Sequence, residues 1–140
     1  MFEELLIPLQ LIERLETLKG KTRLQKLVFL VQNEATKKKV PASTFHYEIY
    51  YYGPFSSELS NIIEKLQKDK LVDEKIEMTP NGYTRYIYSL TNKGKELLQN
   101  ARTKGLMSLE LLAIIKKTAV DYGERQLSEV VEEAYRRYLE

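Results

Sequence analysis

The chain has 140 residues, of which 43% are hydrophobic and 30% charged, with a formal net charge of +2 and no cysteine. This length and balance are typical of one soluble globular domain, and so small a net charge means that any basic surface for nucleic acid must be local. Without cysteine, disulfides, thiolate catalysis and zinc–thiolate sites are excluded.

The amino-terminal segment and the hydropathy of the chain bear on location. The first ten residues, MFEELLIPLQ, are acidic where a secretory signal would be basic. No apolar run approaches the roughly 20 residues that a membrane-spanning helix needs. We therefore expect a cytoplasmic protein.

A first helix is predicted within residues 3–18, where apolar side chains recur at helical spacing. Pro8 is expected to confine the regular helix to the part after it, or to kink it. Gly20 then stands where a helix C-cap is expected.

A second helix is predicted from the capping-box pattern of Thr22 and Gln25. It contains the apolar run 27–31, which is typical of a helix at the centre of a core. The helix leads into three consecutive lysines, and Pro41 is expected to end it.

A strand is predicted at residues 45–52, which are rich in aromatic and β-branched side chains. Alternation divides them into two faces, with Tyr47, Ile49 and Tyr51 on one and Glu48, Tyr50 and Tyr52 on the other. We expect the face with Ile49 to pack on the core, so that the tyrosine cluster is mainly structural rather than a platform for stacking bases. Only Tyr50 and Tyr52 stay open as contacts, and Gly53-Pro54 is expected to turn the chain.

A third helix is predicted from Ser56, a good N-cap, to about Lys68. Its apolar stripe lies at Leu59, Ile62, Ile63 and Leu66, which leaves the opposite side for recognition. Asparagine and lysine can contact base edges and phosphates. The candidate DNA-binding residues on this helix are Ser57, Asn61, Lys65 and Lys68, although the net charge over 56–68 is zero.

A hairpin is predicted from two strand-like runs, 71–78 and 83–90, joined by a turn signal at 79–82. Thr91 is expected to cap a helix over 92–101. This order is typical of a winged helix, in which the strand at 45–52 would pair with the hairpin. We therefore predict an α+β, mostly α fold, a winged helix-turn-helix with a small antiparallel sheet and extra C-terminal helices.

The tail carries two more helical patterns, one over 108–120 and one after Gly123. Within a single domain, 1–140, we assign 1–101 to the winged-helix core and 106–140 to a C-terminal helical extension. The apolar stripes of the extension must be buried either on the domain itself or against a second subunit. The second alternative makes a homodimer and would present two reading units to a two-fold DNA site.

Catalytic chemistry is not indicated by the sequence. The one histidine, His46, has no second histidine with which to form a common metal cluster. The segment Gly20-Lys21-Thr22 resembles the end of a phosphate-binding loop, but that motif needs a glycine where Leu15 stands. We expect no enzyme activity, no metal and no cofactor.

Basic side chains concentrate on the second helix and its exit. Lys21, Arg23, Lys26 and the lysines at 37–39, set against Glu34, give a local charge of +5 that fits phosphate contact. The alternative is that these lysines only keep the surface soluble. On the hairpin, Asn81 and Arg85 are candidates to reach a minor groove or backbone, although the hairpin has a net charge of −1.

Two stretches resemble known families. The run YSLTNKGKELL, residues 88–98, resembles the end of winged-helix regulators of the MarR and PadR type. Together with KTRLQKLVFLVQ at 21–32 and YYYGPFSSELSNIIEKLQKDKLV at 50–72, it resembles the YwgA-like family of archaeal and bacterial proteins. That resemblance implies a winged-helix-like fold, with DNA binding inferred for its members.

A more distant likeness is to the Panacea domain, which has a similar Lys-x-x-Leu-Gln-Lys-Leu and a later Tyr-Gly-Pro. The matching residues here are Lys21, Leu24 to Leu27 in the order Leu-Gln-Lys-Leu, and Tyr52-Gly53-Pro54. That domain serves as an antitoxin, so the likeness implies a protein-interaction module that does not bind DNA. The leading hypothesis is a transcriptional regulator that binds double-stranded DNA, and the antitoxin or scaffold type of module is the alternative.

Overall fold

The structure, a computed structural model, describes residues 2–140. Within them the elements follow in the order α1 (Phe2–Leu15), β1 (Leu18–Lys19), α2 (Lys21–Lys37), β2 (Glu48–Tyr50), β3 (Gly53–Phe55), α3 (Ser57–Lys68), β4 (Val72–Met78), β5 (Thr84–Leu90), α4 (Asn92–Thr103), α5 (Leu109–Tyr122) and α6 (Leu127–Leu139). In this part of the chain no helix is long and apolar enough to cross a membrane.

The main sheet has three antiparallel strands in the order β1-β5-β4. In the hairpin of β4 and β5, Val72 pairs with Leu90 and Met78 with Thr84, while β1 adds Leu18 opposite Tyr88. The predicted fold class is confirmed. The molecule is α+β and mostly helical, winged-helix-like, with small antiparallel sheets and additional C-terminal helices.

The third strand of this sheet is not the one predicted. Residues 18–19, read from the sequence as the end of the first helix, form β1, and the Gly20 N–H donates to the Tyr86 carbonyl oxygen at 2.7 Å. Gly20 has φ 107 and is the N-cap of α2 rather than a C-cap of α1. A positive φ favours glycine. Gly20 therefore does mark a helix boundary, but the boundary is the start of α2 and not the end of α1.

Two further expectations concern the first two helices. Helix α1 runs from Phe2 through Pro8, so proline does not confine it to the part after residue 8, and the alternative of a kink at Pro8 stays a prediction. Helix α2 begins at Lys21, and no side chain caps it. Thr22 therefore lies inside the helix, and Gln25 is buried and bonded elsewhere instead of completing a capping box.

The tyrosine-rich segment forms a separate two-stranded hairpin of β2 and β3, in which Tyr50 pairs with Gly53. The turn therefore falls at residues 51–52, and Gly53-Pro54 belongs to a strand. Tyr47 is buried, with its ring 5.0 Å from that of Phe29, but Ile49 is 38% exposed. The prediction that the Ile49 face packs on the core holds for Tyr47 but is wrong for Ile49, because the hairpin contacts helices α2 and α6 through β3.

Local signals placed the remaining boundaries correctly. The Ser56 hydroxyl accepts from the Leu59 N–H at the start of α3, and the Thr91 hydroxyl accepts from the Gly94 N–H at the start of α4. A Cβ on Gly94 would collide with the Leu71 carbonyl oxygen, so glycine allows α4 to approach the start of β4 closely.

The core is built around α2, whose residues 27–31 are all buried, as predicted. Helices α5 and α6 pack against it. Ile115 of α5, together with Val130 and Ala134 of α6, is fully buried within the chain. The inner sides of the C-terminal helices are therefore covered by their own domain, and a homodimer stays a prediction.

Candidate nucleic-acid interface and adjoining cavity

The candidate residues on α3 share one exposed face. Leu59, Ile63 and Leu66 are buried, which turns the opposite side of the helix to solvent. The exposed side chains on that side are Ser57, Asn61, Glu64, Lys65 and Lys68. Lys65 Nζ lies 3.1 Å from Asp69 Oδ2, an exposed pair that water screens and that leaves the face close to neutral.

Lys21 lies on the same side of the molecule as α3. It is exposed at the start of α2, with its ammonium 4.1 Å from the centre of the Tyr86 ring. It also borders a cavity whose far wall includes Glu64 and Gln67 of α3. Lys21 therefore presents an exposed positive charge beside α3.

Arg23 is already used inside the fold. Its guanidinium donates to the carbonyl oxygens of Tyr122 at 3.4 Å and Gly123 at 3.1 Å, the last turn of α5. Partial burial is the largest influence on the group and lowers its pKa. A cation in this position satisfies helix-terminal carbonyls, so Arg23 is not free to contact phosphate as predicted.

Lys26 is buried, which also contradicts its prediction as a phosphate contact. Its exposed fraction is 2%, and burial lowers its pKa to about 8. The Cε atom lies 3.6 Å from the point that a Cβ on Gly53 would occupy, so β3 passes directly beside it. Helical spacing turns Lys26 inward beside Leu27 and Leu30, and counting charges along α2 could not show that.

The basic cluster of α2 is therefore not one patch. The exit lysines lie at the other end of a 17-residue helix, about 25 Å from Lys21 at 1.5 Å per residue. Lys37 pairs with Glu140 at 3.4 Å and Lys38 with Glu34 at 3.3 Å. The local charge of +5 divides into separate and partly neutralised groups.

The hairpin of β4 and β5 presents a different surface from the one predicted. Asn81 is exposed in its turn, but Arg85 pairs with Glu77, the residue opposite it on β4. Exposed apolar side chains, which sequence reasoning did not single out, surround the tip: Ile76, Met78 and Tyr83.

A cavity of about 340 Å³ separates α2 from α3 and the β2–β3 hairpin. Its wall is largely aromatic and aliphatic and includes Tyr50, Tyr52, Phe55, Leu59 and Ile63, with Lys26 among its polar residues. The Tyr50 and Phe55 rings meet edge to face, with centroids 5.1 Å apart. Two stretches that carry a family resemblance, Lys-x-x-Leu-Gln-Lys-Leu and Tyr-Gly-Pro, meet around this cavity. Their joint occurrence is the feature of the sequence that could have indicated the site.

The acidic side chains and the one histidine are scattered. Among residues 2–140 no cluster of histidine, aspartate and glutamate side chains could hold a metal ion. The His46 ring is exposed, and its Nε2 atom lies 3.6 Å from Glu48 Oε1.

Comparison with known proteins gives one partial likeness. No protein-family model matches the chain. The chain is 34% identical over 82 residues to the uncharacterized protein YwgA of Bacillus subtilis (strain 168), a match that covers 59% of this chain. It spans about half the length of that relative, 46%. The resemblance to YwgA-like proteins is thus supported over part of the chain.

Proposed function

We propose that the protein is a non-enzymatic DNA-binding protein that regulates transcription, with α3 as its recognition helix. The observation that carries the proposal is the exposed face of α3, directly opposite its buried stripe and followed by the β4–β5 hairpin. In a winged-helix-like arrangement such a helix can enter the major groove while the hairpin lies along the backbone. Asn61 is the side chain suited to read a base edge.

The charges on this face set the expected strength of binding. Three exposed lysines, Lys21, Lys65 and Lys68, can each neutralise one phosphate, and the buried Lys26 and the bonded Arg23 add none. Three contacts give a slope of about −2.7 in log K against log salt concentration. A homodimer would double both the contacts and the slope on a two-fold site.

Duplex-DNA binding between 50 and 200 mM salt tests the proposal. We expect measurable affinity at low salt, a slope of about −2.7 per subunit, and a slope smaller by about 0.9 for Lys68→Ala. Asn61→Ala should weaken binding to a selected site and leave the slope unchanged. Lys104→Ala, an exposed lysine at the end of α4, is the matched control. No binding at low salt, or equal effects of the two lysine variants, would exclude this face.

A second function, a protein-interaction module of antitoxin or scaffold type, is supported by a different surface. Tyr51 is 98% exposed at the tip of the β2–β3 hairpin, and Tyr52 and Tyr135 are exposed beside it along a groove against α6. Exposed aromatic residues are enriched at protein interfaces. Replacing Tyr51 and Tyr52 by serine should abolish binding to such a partner and leave DNA affinity unchanged.

A further inference from the structure

Lys26 is almost wholly buried and has no group that pairs with its charge. Within residues 2–140 its ammonium has no hydrogen bond and no carboxylate at ion-pair distance, and with an exposed fraction of 2% the residue keeps only a small contact with solvent at its Nζ atom. So little hydration of an unpaired charge is unfavourable, and ammonium groups this far inside proteins are normally paired. An anion placed in the adjoining cavity would supply the missing partner.

The walls of the cavity indicate what else the anion should carry. Phe55, Leu59 and Ile63 provide apolar surface, and Tyr50 adds an aromatic ring that is fixed edge to face against Phe55. The volume of about 340 Å³ lies near the lower end of small-molecule sites. A molecule with one or two aromatic rings matches both the size and the walls.

The polar groups indicate a single negative charge. Apart from Lys26, the only cation on the wall is Lys21, which lies at the exposed start of α2, and Glu64 opposes further negative charge. The Gln25 amide N–H groups already donate to the Ser56 carbonyl oxygen at 2.9 Å and to the Ser60 hydroxyl at 3.1 Å. A carboxylate can be paired by one ammonium, whereas a phosphate dianion would place a second negative charge in a cavity that Glu64 also lines.

We propose that this cavity binds a small aromatic carboxylate, with the ring between Phe55 and Ile63 and the carboxylate paired with Lys26. Binding at this site does not depend on whether the protein binds DNA. The ligand would contact α2, the β2–β3 hairpin and α3 at once, since all three form the wall.

Titration with 2-naphthoate, followed by calorimetry, tests the proposal on the full chain. We expect saturable one-to-one binding that Lys26→Met weakens at least tenfold, because methionine keeps the length of the side chain and removes the charge. Uncharged 2-naphthamide should bind the wild type and Lys26→Met equally. Lys104→Met, at the C-cap of α4 and not on the cavity wall, should bind 2-naphthoate like the wild type.

Two further measurements keep the test independent of the stability of the variant. In amide NMR spectra of the wild-type protein, 2-naphthoate should shift the signals of Tyr50, Leu59 and Ile63 and leave those of α5 unchanged. Lys21→Met should weaken binding less than Lys26→Met does. Absence of saturable binding, shifts confined to other residues, or a larger loss with Lys21→Met would each overturn the proposal.

Discussion

At the scale of single residues, Lys26 lies where its positive charge is costly. Burial lowers its pKa from 10.5 to about 8, and the charged groups around it, Lys21 and Glu64, form no ion pair with it in the described chain. In the unfolded chain the same ammonium titrates near 10.5. Between pH 8 and 10.5 the unfolded state therefore holds more protons, so this residue makes the free energy of unfolding rise with pH.

Comparing the wild type with Lys26→Met isolates that contribution. We expect the variant to be the more stable protein at pH 7, by about 3 kcal/mol at most, and the difference to shrink as the pH rises from 8 to 10.5. Burial raises the pKa of Tyr47 and Tyr88, which lowers stability above pH 10, but both tyrosines are present in both proteins and cancel. Urea denaturation at pH 7, 8.5 and 10 measures the difference, and a value independent of pH would contradict the argument.

At the scale of elements, the connection between α2 and α3 is held by two glutamines. The Gln25 side chain accepts from the Ser56 N–H and donates to the Ser56 carbonyl oxygen, both at 2.9 Å. Gln32, two helical turns later on the same face of α2, does the same with the N–H and carbonyl of Phe45, at 3.0 and 2.9 Å. In this long connection, glutamine side chains thus satisfy backbone N–H and C=O groups that would otherwise need a partner strand.

Gln25→Leu should destabilise the protein by about 2 kcal/mol. The change leaves the buried N–H of Ser56 without a partner, which costs about 1–3 kcal/mol, whereas the Ser56 carbonyl keeps its hydrogen bond from the Ser60 N–H. It also removes the bond to the Ser60 hydroxyl, 3.1 Å away. Chemical denaturation measures the effect, and Gln67→Leu, whose side chain makes no hydrogen bond within residues 2–140, should stay within about 0.5 kcal/mol. If both variants lost the same free energy of unfolding, the hydrogen bonds of Gln25 would add no measurable stability.

These glutamines show which parts of the fold the sequence could predict. The caps at Ser56 and Thr91 and the alternating hairpin depend on neighbours a few residues away, so local patterns predicted them correctly. Gln25 bonds to a residue 31 positions later, and β1 pairs with a strand almost 70 positions away. In each case a local motif, the capping box or the helix end, gave a plausible answer that a long-range contact overrode.

At the scale of the whole molecule, the positive charge on the candidate DNA surface is smaller than the charges counted along the chain suggest. Helical packing buries Lys26 and commits Arg23 to α5, whereas the stripe of α3 that apolar spacing predicted is exposed. The sequence therefore predicted the exposed face of α3 correctly, but it did not predict that Lys26 and Arg23 are withdrawn from the surface beside it. For the cavity the sequence offered only the two family-like stretches as a signal, because its walls come from five separate elements, α2, β2, β3, α3 and β5, that meet only in the folded chain.

The cavity and the candidate DNA surface share α3 and Lys21, which leads to a prediction that joins the two proposals. A carboxylate bound beside Lys21 adds negative charge next to a candidate phosphate contact, so we expect 2-naphthoate to weaken DNA binding by roughly threefold to tenfold, the common range for linked sites. Thermodynamic linkage requires DNA to weaken 2-naphthoate binding by the same factor.

Measuring both affinities, each with and without the other ligand, tests this coupling. With Lys26→Met, the DNA affinity should no longer respond to 2-naphthoate, while Lys104→Met should retain the full response. If the wild type and Lys104→Met each bind DNA and 2-naphthoate, but neither ligand changes the affinity for the other, the cavity and the exposed face of α3 act independently.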